Sequence, residues 1–153
     1  MRTATRLLFP AVLLMLAAGG ALAQSAAPAA PPALTVTNAW VRAIPGAGVA
    51  AVYLTLHNGG RRSLVITGVR CPLAGTAMIH ETRVVNGVSS MRPHEPLVIA
   101  PGATIVLAPD GLHVMLHDLT RPLAVGSDVP LEIILAGGAR IAVSARVRPL
   151  DAE

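Results

Sequence analysis

Hydropathy along the chain falls into two regimes. Residues 7–23 are almost continuously apolar, whereas from residue 34 onward apolar and polar positions alternate in short runs. Runs rich in Val, Ile, Leu and Thr occupy residues 34–42, 49–57, 63–69, 77–85, 88–92, 104–107, 112–118, 129–135 and 140–147, and each is predicted as a β-strand. Strong turn signals lie between them: Asn58-Gly59-Gly60, Asn86-Gly87, Pro101-Gly102, Pro109-Asp110-Gly111 and Gly137-Gly138. No stretch sustains a helical period with caps at its ends. The pattern therefore predicts an all-β domain, a β-sandwich or small barrel with Greek-key links, without internal repeats or a second domain.

The first regime reads as a leader. Arg2 and Arg6 precede the apolar run, which ends in the small-residue pattern Ala21-Leu22-Ala23. A charged start, an apolar centre and a small-residue exit make up a secretory signal, so residues 1–23 are expected to be cleaved after Ala23 and the chain exported to the periplasm. Pro10 interrupts the run, and a spanning helix needs about 20 apolar residues, so no retained membrane anchor is expected. Residues 24–33 form an Ala/Pro-rich tether, residues 34–148 the β domain, and residues 149–153 a short tail.

Composition narrows the function classes. An apolar share of 53% against 13% charged residues excludes disorder. The formal charge is +4, half of which (Arg2 and Arg6) leaves with the leader, so the field is too weak to predict nucleic-acid binding. Phe9 leaves too, which makes Trp40 and Tyr53 the expected aromatic anchors of the core. Cys71 is the single cysteine and cannot form an internal disulfide; between Val69 and Pro72-Leu73 it reads as buried. With no nucleophile–base pairing, paired carboxylates or phosphate loop, the chain does not read as an enzyme.

Strand phase then places individual side chains. In residues 112–117, Leu112, Val114 and Leu116 take one face as core, leaving His113, Met115 and His117 on an outer face or rim. A tight Asn86-Gly87 turn sets Val85 opposite Val88 and Met91 opposite Thr82. His80 then becomes a diagonal neighbour of Met91 on the same face, about 7–8 Å away. Met78 shares that face, with core packing its ordinary role, while Glu81 points to the other; His57, His94 and His117 read as solvated. Two imidazoles and two thioethers form a soft, uncharged donor set that suits Cu(I) in an oxidising compartment. Zinc would recruit Cys or carboxylate, and calcium or magnesium would need oxygen ligands.

His80, ten residues, Met91, twenty-one residues, then His113-Val114-Met115 reproduces the pattern H-x10-M-x21-H-x-M. With Ala50-Ala51-Val52-Tyr53-Leu54-Thr55-Leu56-His57-Asn58 and Asp110-Gly111-Leu112-His113-Val114-Met115-Leu116, it resembles the PCu(A)C family of periplasmic copper chaperones, over most of residues 34–147. The resemblance implies a cupredoxin-like β-barrel holding one Cu(I) per chain near the surface, with His80, Met91, His113 and Met115 as ligands. It also implies transfer by ligand exchange to a copper acceptor protein, the CuA-bearing subunit of cytochrome c oxidase or another assembly factor. Relatives with a His/Met-rich tail hold a second, Cu(II) ion; here residues 146–153 contain neither residue. Copper storage or resistance would use the same four ligands. An electron-transfer blue-copper site would need a Cys close to the last His and Met, which Cys71 is not. A metal-free interaction module is the remaining alternative.

Overall fold

The computed structural model describes residues 33–44 and 46–150. The leader and, but for Ala33, the tether lie outside the described residues, as do the last three residues of the tail. The described residues form ten strands and no helix: β1 (Leu34–Ala43), β2 (Ala50–Asn58), β3 (Leu64–Arg70), β4 (Ala74–Val85), β5 (Val88–Pro93), β6 (Leu97–Ile99), β7 (Thr104–Leu107), β8 (Leu112–Leu119), β9 (Asp128–Leu135) and β10 (Arg140–Arg148). Nine correspond to the nine alternating segments. The tenth, β6, is three residues long, too short to show a period.

The strands follow the order β5-β4-β8-β2-β1-β10-β9-β3-β6, with β7 also on β2. β1 and β10 run parallel; the other pairs are antiparallel. β2 holds two partners in succession: Ala50–Val52 pair with β8, while residues 54–57 pair with β7. Neighbours distant in sequence, such as β4 beside β8, give the strand-skipping connections of a cupredoxin-like sandwich.

One aliphatic core fills the interior. Val52, Leu54, Leu56, Ile79, Val114 and Leu116 enter it from β2, β4 and β8; Ile66, Val69, Leu131, Ile133 and Leu135 enter from β3 and β9. Burying each such side chain contributes about 1.5–3 kcal/mol. Cys71 packs in the same cluster, and burial raises its thiol pKa. At the end of β2, Asn58 is fully buried but satisfied. Its Nδ2 donates to the carbonyls of Arg62, Ile99 and Ala100 at 2.9–3.1 Å, and its Oδ1 accepts from Gly60 N–H at 2.9 Å.

The aromatic anchors Trp40 and Tyr53 are buried as expected, but they pack apart from the aliphatic cluster. An irregularity in β1 between Thr37 and Trp40, with Asn38 at φ 53°, inserts one residue into the pairing with β2. Leu34 faces the core before this bulge and Val41 after it, so the inward phase passes from even to odd positions. Trp40 is thereby turned onto the opposite face and packs on its partner Tyr53, ring centres 4.6 Å apart.

Candidate metal centre

The β4–β5 hairpin turns at Asn86-Gly87, both with positive φ (52° and 78°), as a two-residue turn of matching twist requires. This fixes the register: Val85 faces Val88 and Thr82 faces Met91, as the turn chemistry predicts. On its other edge β4 pairs with β8, setting His80 opposite His113 and Met78 opposite Met115. Cross-strand partners project to the same side of a sheet. Met91, His80, His113 and Met115 therefore share one face, drawn from three adjacent strands.

Burial differs among the four. Met91 is 50% exposed and His113 only 4%, while His80 and Met115 are half-buried. The β8 donors lie on the face away from the core, as strand phase predicts, but His113 is buried on that face rather than exposed at a rim. β2 runs alongside β8, with Ala51 opposite Met115, and brings the Tyr53 ring to 6.3 Å from that of His113. Tyr53, Met91, His113 and Met115, together with Arg42 and Asp110, line an open groove of about 320 Å³; His80 stands beside it.

The two imidazoles stand close to the separation that a shared ion requires. The His80 and His113 ring centres are 6.1 Å apart and perpendicular. Two imidazoles sharing one ion through nitrogen bonds of about 2.0–2.1 Å hold their ring centres about 5–6 Å apart. His113 Nδ1 lies 3.1 Å from the Gly111 carbonyl, a contact that fixes a proton on Nδ1 and leaves a lone pair on Nε2. His80 Nδ1 is buried without a hydrogen-bond partner. The other buried side-chain polar atom without a partner among the described residues is Arg42 Nε; a buried imidazole nitrogen left unpaired beside three neutral donors fits a position completed by a ligand. Desolvation, then the nearby His113 and His117 rings, hold the His80 pKa below its usual value, with the Glu95 carboxylate opposing. A neutral His80 is the form that coordinates.

No carboxylate or thiolate belongs to this set, and among the described residues no three His, Cys, Asp or Glu side chains converge on a common point. Cys71 sits in the core cluster instead, which removes the thiolate of a blue-copper centre. Glu81 points away, as strand parity predicts, and pairs with Arg83 at 2.8 Å and His94 at 3.6 Å. Arg42 stacks its guanidinium over Trp40 and Tyr53, 5.5 and 5.7 Å from their ring centres. Tyr53 and Arg42 were not singled out as site residues. Tyr53 carried a signal, since it falls out of phase with Val52, Leu54 and Leu56; the placement of Arg42 depends on the β1 bulge. Glu95 accepts from Ile79 N–H at 2.9 Å, beside His80, and nothing in the sequence marked it.

A cupredoxin-like β-sandwich with a His/Met face defines the PCuAC type of domain. The family model described as "Putative lipoprotein LpqE-like" matches residues 34–147, and the chain belongs to this family. Lxx21020 of Leifsonia xyli subsp. xyli, which bears the same lipoprotein description, is 31% identical over 114 residues, covering 74% of this chain and 68% of that one. The solution structure of CuI-DR1885 from Deinococcus radiodurans is 35% identical, covers 82% of this chain and 85% of its own, and superposes with a TM-score of 0.62. The copper-bound PCuAC domain from PmoF2 superposes with a TM-score of 0.64 over 76% of this chain and 93% of its own; at 19% identity it speaks to the fold alone.

Proposed function

We propose that the chain is an exported Cu(I) metallochaperone. His80, Met91, His113 and Met115 hold one ion, which passes to an acceptor by ligand exchange. The observation that carries this reading is the convergence of two imidazoles and two thioethers on one face of β5, β4 and β8, with His80 Nδ1 buried and unpaired among them. Four neutral donors favour a monovalent soft ion over a divalent hard one. The names of the relatives agree, since DR1885 is described in its Cu(I) form and the PmoF2 domain as copper-bound. The family and its fold neighbours are copper-binding domains rather than enzymes.

Each part of the face has a task in the exchange. His113, held by Gly111 and covered by Tyr53, provides a fixed donor. Met91, half-exposed on the hairpin, is the ligand an incoming partner reaches first. Thioether bonds are weak enough to be displaced one at a time, so the ion need never leave coordination. The proposed acceptor is the CuA-bearing subunit of cytochrome c oxidase or another assembly factor. Periplasmic location is supported by the Arg2/Arg6 leader pattern and by the lipoprotein description of the family.

Competition titration of Cu(I) and Cu(II) against chelators, followed by mixing with an apo CuA-bearing fragment, tests the whole reading. Preferential Cu(I) binding and appearance of the CuA spectrum are expected. Tight Cu(I) binding without transfer would make the chain a copper store. Unchanged Cu(I) affinity in His113→Ala/Met115→Ala would make it a metal-free interaction module.

A further inference from the structure

The four proposed ligands occupy only part of the donor-bearing face. Three alternate rungs of the β4–β8 ladder pair His80 with His113, Met78 with Met115, and Thr76 with His117. His80 stands between two other imidazoles. Its ring centre is 6.1 Å from that of His113 and 6.0 Å from that of His117, and both meet it edge-on. The Met78–Met115 rung lies between those two histidines of β8. All three additional positions are half-buried, neither packed into the core cluster nor freely solvated.

We infer that a bound soft monovalent ion has a second seat on this ladder, formed by His80, Met78, Met115 and His117. This rests on the reading of His80, Met91, His113 and Met115 as a Cu(I) site. His80 and Met115 belong to both seats. A neutral imidazole offers one lone pair, so the two seats are alternative positions for one ion, not sites for two. In moving between them, the ion breaks its bonds to His113 nitrogen and Met91 sulfur and forms bonds to His117 nitrogen and Met78 sulfur. All six side chains stay neutral, no proton or electron moves, and copper remains Cu(I). His80 and Met115, common to both seats, hold the ion throughout, so it gives up its exposed Met91 bond without leaving the protein.

Ag(I), which has the charge and softness of Cu(I) without its redox chemistry, is the probe. One equivalent added to the isotopically labelled chain is expected to shift the Met78 methyl and His117 ring resonances together with those of His80 and His113. Cu(I) competition against bicinchoninate gives the energetic counterpart. His113→Gln alone should weaken binding about tenfold, because the second seat takes the ion, and His117→Gln alone only about 1.1-fold, because the first seat holds about nine-tenths of the bound ion. The double variant should lose about 10³-fold, far more than the product of the singles. His113 is buried, so the comparison is repeated with His117→Gln in a Met91→Leu background, where the altered first-seat residue is half-exposed. There too the double loss should exceed the product. Losses that multiply in both backgrounds, with Met78 and His117 unmoved by Ag(I), overturn the second seat and leave the first intact. A wild-type chain that binds neither Ag(I) nor Cu(I) overturns both readings.

Discussion

Strands β4 and β8 present two faces made from alternating residues of the same chain segments. Ile79, Val114 and Leu116 form one, packed against β2, β3 and β9 in an interior that is aliphatic but for Cys71. Met78, His80, His113, Met115 and His117 form the other, with two aromatic rings and an arginine as neighbours. The first face is defined by volume and stabilises the sandwich whatever the chemistry of its neighbours. The second is defined by lone pairs, and its order is inherited from the first. Because each donor is chain-bonded to at least one residue packed in or against the core, packing on one side sets the positions of nitrogen and sulfur on the other.

Perturbing one face at a time separates the two roles. The largest expected effect is on the donor face, where His113→Ala with Met115→Ala should lower Cu(I) affinity about 10³-fold, or about 4 kcal/mol. Chelator competition measures it, and a loss under tenfold would show that the ligands lie elsewhere. On the core face, Leu56→Ala should cost about 3 kcal/mol in urea unfolding and leave Cu(I) stoichiometry unchanged. A changed stoichiometry would mean that the faces are coupled more tightly than alternation implies. Met91→Leu keeps side-chain volume while removing sulfur from a half-exposed position. It should weaken Cu(I) about tenfold at an unchanged unfolding midpoint, and a falling midpoint would assign Met91 to packing.

The smallest effect is one of pH. Folding lowers the His80 pKa below its usual 6.5, so the unfolded metal-free chain takes up a proton there first as pH falls. Stability from this group is therefore full above about pH 6.5 and is lost below it. Urea midpoints at pH 5 and 7 should differ in the wild type more than in His80→Gln. Equal pH responses would show that His80 is not the group responsible.

Alternation made most of this legible before any coordinates. It located nine strands, and the Asn-Gly turn fixed the register that sets Met91 opposite Thr82. What stayed hidden depends on contacts between distant segments. The β6 strand exists because Leu97 and Ile99 fill the space beside β3, and three residues carry no readable period. β4 begins at Ala74, since Ala74 and Thr76 pair with β8 although Ala74-Gly75-Thr76 has little strand propensity of its own. The burial of His113 comes from β2 lying alongside β8, which phase within a single strand does not encode. The side taken by Trp40 was not legible, because a one-residue bulge reverses every position after it.

That bulge has an optical consequence. The chain has a single tryptophan, and the extra residue in β1 sets it down on Tyr53, whose ring in turn adjoins His113. The only indole fluorophore is thus one phenol ring away from the donor face and apart from the aliphatic cluster. Its emission should respond to copper loading, giving the wild-type chain a label-free signal for following the ion in and out.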